Sequence, residues 1–330
     1  MNPPGVTGIS LGDLQGHLRS RLKVVRRELT RIIEADFGLI AEVNSHLLRM
    51  RGKLLRPTMA LLADEATGGP TERAVRLAAV IELIHLATLV HDDAVDHSAL
   101  RRGMPTVNAA FSHQVSVIMG DYLYSRAVIE LVGLDDLEPL RVLSRVTNEM
   151  TIGEMRQLLA HDPLQFTEDD YDLLIRAKTA SLLSGACEVG ALSAPPRMRS
   201  ALRDFGLKLG MAFQIVDDLL DYTEEEAVTG KPSGSDLREQ KVTLPLIYAL
   251  PRLDGAQRRL VEELMGASTP TDDQIAGVVE AVTRVGGLDY ARSRAQALGA
   301  EAESLLSALP PTPAREALGA SVTYVLERHS

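Results

Sequence analysis

Apolar residues recur at three- and four-residue spacing along nearly the whole chain, the period of a helix with one face packed inward. The pattern predicts helices over Leu11–Ala35, Leu39–Met50, Met59–Ala66, Thr71–Val90, Val115–Leu131 and Leu137–Ala160. It continues through Thr167–Leu192, Arg197–Leu220, Leu244–Leu250 and most of the remainder. Breaks fall at Gly68-Gly69-Pro70, Gly133, Pro195-Pro196, Gly230 to Gly234 and Pro310 to Pro313, where glycine and proline punctuate helices. Thr71-Glu72 and Thr167-Glu168-Asp169-Asp170 read as capped, acidic helix starts. No run alternates as a half-buried strand does, so the expected fold is all-α, a helical bundle around a central hydrophobic cavity. No linker composition or fixed repeat divides residues 1–330, which read as a single domain.

Two of these helices end in the same acidic spacing. Asp92-Asp93-Ala94-Val95-Asp96 closes the apolar run Leu77–Val90, and Asp217-Asp218-Leu219-Leu220-Asp221 closes Met211–Val216. Residues four apart share a helix face, so Asp92 pairs with Asp96 and Asp217 with Asp221. Asp93 and Asp218 lie about 100° round. Like charges so arranged repel, and carboxylates at a helix C-terminus oppose the macrodipole. One such cluster is adequately read as a solvated helix end. Two copies far apart in the chain suit hard divalent cations, Mg2+ above all, shared with a diphosphate.

Composition narrows the partners. Of the 330 residues, 45% are apolar and 24% charged, as in ordinary globular chains, and the net charge of -10 argues against nucleic acid. The lone cysteine, Cys187, excludes an internal disulfide and suits a reducing compartment, so a cytoplasmic location is expected. Met1–Gly16 has no signal-peptide pattern, and Leu77–Val90 is too short to span a bilayer. No histidine and cysteine spacing fits zinc, no Ser-His-Asp set is identifiable, and no phosphate loop of the P-loop type occurs. The stretch from about Asp254 onward carries no motif and is expected to supply outer helices.

Cations stand where an anionic substrate needs them. Lys53 and Arg56 are three apart in what reads as one helical turn after Gly52. Arg101-Arg102-Gly103 follows the first acidic cluster, Lys178-Thr179 interrupts an apolar helix, and Lys231 and Lys241 flank a Gly/Ser-rich loop after the second cluster. Lys178 carries most weight, because an ammonium in an apolar helix requires a partner. The bland alternatives are a surface pair for Lys53 and Arg56, and neutralisation of Asp92–Asp96 by Arg101-Arg102. His85 lies two turns before Asp92, where a packed core histidine is the plain reading; His91, His97, His113 and His161 are assigned no role.

These residues together resemble the trans (all-E) polyprenyl diphosphate synthases. Ile81-Glu82-Leu83-Ile84-His85 through His91-Asp92-Asp93-Ala94-Val95-Asp96 and Arg101-Arg102-Gly103 match that family's first aspartate-rich region. Phe213-Gln214-Ile215-Val216-Asp217-Asp218-Leu219-Leu220-Asp221-Tyr222 matches the second, continued by Gly230-Lys231-Pro232, Gly234-Ser235-Asp236-Leu237 and Lys241-Val242-Thr243-Leu244-Pro245. The similarity spans roughly Gly52 to Leu250. It implies an all-α isoprenoid synthase fold, a homodimer, and condensation of an allylic diphosphate with isopentenyl diphosphate. By position, Asp92, Asp96 and Asp217 would bind two or three Mg2+, supported by Asp93, Asp218 and Asp221. Arg101, Lys178, Thr179, Gln214, Lys231 and Lys241 would contact the allylic diphosphate, with Lys178 also catalytic; Lys53, Arg56, His85 and Arg102 would hold isopentenyl diphosphate. Arg51, Leu54 and Met104 depart from the family pattern, a glycine, a basic and a charged residue respectively, and touch only details of the isopentenyl pocket.

Ala87 and Thr88, one turn before Asp92, are small where short-chain members of that family carry aromatics. Ile84, Leu83 and Val80 would extend the wall about 18 Å below Asp92, with Leu123 and Tyr124 as floor. The expectation is a long prenyl product of the kind attached to quinones; the alternatives are a short-chain farnesyl or geranylgeranyl synthase, or the catalytic subunit of a heteromeric one. A terpene cyclase would lack Lys53 and Arg56, and a non-catalytic subunit would have lost site residues.

Overall fold

The computed structural model describes residues 9–50, 52–158, 163–223 and 234–328. The first half comprises α1 (Arg19–Ile33), α2 (Gly38–Arg49), α3 (Leu55–Ala66), α4 (Glu72–Val95), α5 (His113–Val132) and α6 (Leu137–Leu158). Helix α7 (Glu168–Ile175) passes through a π turn (Arg176–Ala180) into α8 (Ser181–Gly190), and α9 (Pro196–Thr223) follows. After these come α10 (Leu244–Ala249), α11 (Gly255–Met265), α12 (Asp272–Arg284), α13 (Gly287–Leu305) and α14 (Pro313–Glu327).

The centre of the molecule is α4, α8 and α9. Helix α4 starts at Thr71, whose side chain accepts from the Ala74 amide, and packs against α1, α3, α5 and α8. Every residue of α8 is buried, Cys187 included. Its small residues permit close approach: a Cβ on Gly190 would lie 2.2 Å from the Ala60 carbonyl of α3. A Cβ on Gly206 of α9 would lie 2.7 Å from the Leu183 carbonyl. Most buried apolar residues form one continuous cluster, and a second, smaller cluster joins Tyr222 and Leu237 to α10, α11 and α12.

Three local expectations change. The helix expected over Leu11–Ala35 is broken after Leu14 by a turn containing Gly16 and resumes at Arg19. Helix α4 is longer than the apolar run Leu77–Val90 suggested; its 24 residues are long and apolar enough to cross a membrane by length and composition. Its flanks are instead spent on neighbouring helices. Finally, a two-stranded hairpin appears where no strand was expected: β1 (Leu100–Arg101) pairs antiparallel with β2 (Met104–Pro105). Its turn residues Arg102 and Gly103 have φ of 53° and 74°, the two left-handed positions that fit a tight hairpin to the strand twist.

Candidate active site

Both acidic clusters sit at the C-terminal ends of central helices, as expected. Asp92 and Asp93 occupy the last turn of α4 with Asp96 as its C-cap, and Asp217, Asp218 and Asp221 occupy the last two turns of α9. The 100° offset divides each cluster. Asp93 and Asp218 are buried, whereas Asp96 and Asp217 are exposed and Asp92 and Asp221 half-buried.

The buried members are tied down. The Arg101 guanidinium meets Asp93 Oδ1 at 2.7 Å. Asp218 accepts from the Tyr171 hydroxyl at 2.5 Å and from Gln214 Nε2 at 2.7 Å, and Gln214 Oε1 in turn accepts from the Thr179 hydroxyl at 2.7 Å. Burial, with the nearby Asp236 charge, pushes the Asp218 carboxyl well above the usual range despite these donors. Asp221 accepts the Ser235 and Asp236 amides at 3.0 and 2.9 Å.

The two clusters share neighbours. A cavity of about 650 Å³ is lined by Asp92, His91, Glu154, Lys178 and Thr179 at its polar end. A second, of about 440 Å³, is lined by Asp218, Gln214, Asp236 and Lys241, and again by Lys178 and Thr179. Lys178 and Thr179 therefore stand between the clusters. The π turn presents them; its closing bond runs from the Ser181 amide to the Arg176 carbonyl, one residue wider than an α-turn. Lys178 Nζ donates to Glu154 Oε2 at 2.9 Å and to Gln157 Oε1 at 3.0 Å, the partners its apolar setting requires. Burial works against the Lys241 charge, but the hydrogen bond to Glu239 and the charges of Glu239, Asp96 and Asp236 raise its pKa. Lys241 lines the cavity that Asp218 also borders and feels the Asp96 charge of the first cluster.

Asp92 is pushed up to about 6, by burial first and then by Glu154, against Lys178 and Arg101. Among the described residues no three histidine, cysteine or acidic side chains converge closely enough to hold a metal by themselves. The donor set is all carboxylate oxygen, fit for a hard ion whose remaining ligands are water and substrate oxygens.

The hairpin splits the two arginines. Arg101 turns back to Asp93, while Arg102 Nη1 donates to the Met50 carbonyl at 3.2 Å and lines a third cavity, of about 320 Å³, with His85 and Glu82. Arg56 Nη1 stands 3.2 Å from His85 Nε2, and burial holds that imidazole well below its ordinary pKa, hence neutral. Lys53 does not share a helix face with Arg56. Helix α3 begins at Leu55, after Leu54 in the left-handed region (φ 55°), so Lys53 lies exposed in the preceding loop. Lys231, Arg51 and His161 fall outside the described residues.

Ala87, Thr88, Ile84 and Tyr124 line the cavity of about 650 Å³. Leu123, expected as floor, is fully buried and is not among its lining residues; Leu83 lines the third cavity instead, and Val80 is packed in the core. The opposite wall went unnoticed: Ser144, Thr147, Asn148, Thr151 and Glu154 form a polar stripe on α6. Their three- and four-residue spacing was a legible signal. Tyr171 and Gln157 carried none. The C-terminal stretch also reaches the site, where Arg328 pairs with Asp217 and lies 3.9 Å over the Phe213 ring.

Residues 38–282 match the family described as Polyprenyl synthetase. The chain is 41% identical over 298 residues, 90% of it and 91% of the relative, to the all-trans-nonaprenyl-diphosphate synthase (geranyl-diphosphate specific) of Rhodobacter capsulatus. It is 38% identical to the octaprenyl diphosphate synthase of Escherichia coli, covering 87% of this chain and 89% of that one. A polyprenyl synthase from Caulobacter crescentus, solved with calcium and isoprenyl diphosphate, superposes with a TM-score of 0.92 at 34% identity, covering 99% and 100% of the two chains.

Proposed function

Since the chain belongs to the polyprenyl synthetase family, we propose that it is a long-chain trans-prenyltransferase, adding isopentenyl diphosphate units head-to-tail to an allylic diphosphate. The observation that carries this reading is the pair of acidic helix ends bordering adjoining cavities, with small Ala87 and Thr88 in the wall below Asp92.

The working unit is the single domain of residues 1–330. Asp92, Asp96 and Asp217, supported by Asp221, would hold two or three Mg2+ beside the allylic diphosphate. When bound, the metal supplies positive charge to the leaving diphosphate. The chain does the rest. Lys178, Thr179, Gln214, Arg101, Lys231 and Lys241 orient that diphosphate and oppose the charge that grows as the allylic C–O bond breaks. Lys53, Arg56, His85 and Arg102 hold isopentenyl diphosphate with its double bond aimed at the allylic carbon, so that attack is effectively intramolecular. The new C–C bond leaves a cation, which loses a proton to the released diphosphate.

The product tail leaves past Ala87, Thr88 and Ile84 toward Tyr124. A long product of this kind would suit a quinone side chain. Exposed Ile118 (63%), Ile129 (55%) and Val132 (60%) on one face of α5 support a homodimer, and buried Cys187 agrees with a cytoplasmic setting. Purified protein incubated with Mg2+, labelled isopentenyl diphosphate and farnesyl diphosphate is expected to give a ladder ending at a long product. Products ending at farnesyl or geranylgeranyl would replace this reading with a short-chain synthase, and no incorporation would refute both.

A further inference from the structure

Two residues of α6 hold the Lys178 ammonium. Its Nζ donates to Glu154 Oε2 at 2.9 Å and to Gln157 Oε1 at 3.0 Å. Those partners are three apart and so share a face of α6. Glu154 lines the cavity that Asp92 borders, Gln157 lines the one that Asp218 borders, and Lys178 lines both. The ammonium is therefore fixed at the wall the two chambers have in common. Helix α6 packs directly on the π turn that carries it. An ammonium has three N–H donors, and these hydrogen bonds use two of them.

On charge alone Glu154 is unfavourable where it stands. Its charge helps push the Asp92 carboxyl up, and both acids line the chamber that is to receive a diphosphate. A carboxylate there repels an anion and masks the lysine. It aids the reaction only if Lys178 needs it to stay in place. Lysine is a point charge on a flexible stem, and a stem already fixed by folding has less freedom to lose when it meets a substrate. Resting on the reading above, in which Lys178 opposes the charge growing on the allylic diphosphate, we propose that Glu154, assisted by Gln157, is a positioning residue that aims the Lys178 ammonium at that diphosphate. Simple neutralisation predicts the opposite sign. Removing Glu154 speeds ionisation if it only masks Lys178, and slows it if it aims Lys178.

The test separates chemistry from binding, with the rate read in single turnover and the affinity for farnesyl diphosphate alone read by calorimetry. With both substrates saturating, Glu154→Ala is expected to slow condensation at least about tenfold, while farnesyl diphosphate affinity and the isopentenyl diphosphate KM stay within about threefold. Glu154→Gln keeps an oxygen acceptor and is expected to recover part of the loss. Gln157→Leu is expected to slow the same step at least about threefold with the same split, and serves if Glu154→Ala does not fold. A smaller loss or a faster rate in the variant that folds overturns the inference, as does a rate that falls together with both affinities. A wild type that binds farnesyl diphosphate but condenses no isopentenyl diphosphate overturns the functional reading, and this inference with it.

Discussion

The Tyr171 hydroxyl donates to Asp218 Oδ2 at 2.5 Å, inside the protein, between α7 and α9. Both groups are driven toward their neutral forms by burial, yet each is the other's partner. Tyr171→Phe leaves that carboxyl oxygen without its donor, a loss of about 1–3 kcal/mol. A lowered urea midpoint with unchanged slope is expected, together with a fall in kcat as Asp218 loses its anchor. Wild-type stability would show the bond to be dispensable.

Removing an outer carboxylate acts differently. Asp92→Ala and Asp217→Ala delete half-buried or exposed side chains, so helix content by circular dichroism is expected to stay intact while turnover disappears. Near-normal rates in either would contradict the metal assignment.

Ala87 lines the cavity beside Asp92 and is itself tightly packed, at 3% exposure. Ala87→Phe is expected to project a ring across the tail's path, with chromatography showing a shorter product and initial incorporation retained. An unchanged ladder would remove Ala87 as a length determinant.

Asp92 titrates near 6 in the folded protein against about 3.9 in an unfolded chain. The folded state binds that proton more tightly. Its stabilising contribution is therefore complete below about pH 4 and lost as pH rises through 6, a difference on the order of 1–3 kcal/mol. Asp92→Asn is expected to raise the melting temperature of chelator-treated protein at pH 7.5 and to change it little near pH 4. Equal shifts at both would deny the burial penalty on its charge.

Burial pushes the Cys187 thiol up to about 12. Thiol reagents at pH 8 are expected to leave native protein unmodified and to label one site after denaturation, read by mass spectrometry. Rapid native labelling would place Cys187 outside the core.

The architecture was legible because long helices repeat their signal, and α4 and α9 carry both the apolar period and the acidic spacing at their ends. The 100° rule separated buried Asp93 and Asp218 from their neighbours before any coordinates. What escaped was short or relational. A hairpin of two-residue strands has no period to detect, so the opposite destinations of Arg101 and Arg102 were invisible at the level of contacts. Lys53 read as part of the same helical turn as Arg56, but a single left-handed residue, Leu54, stands between it and the first turn of α3. Lys178 announced its need of a partner, but Glu154 lies 24 residues away on another helix, and only folding joins them.

The wide turn at Arg176–Ala180 sets how the segment tolerates change. One residue there is surplus to an ordinary helix, and excising it would leave a smoother rod. Everything upstream would then rotate by about 100° relative to α8, swinging Tyr171 off Asp218 while Gly185 and Gly190 kept their seats. A shortening that improves the local backbone would disconnect the second acidic cluster, so chain length in this segment is fixed by alignment across the turn rather than by helix quality.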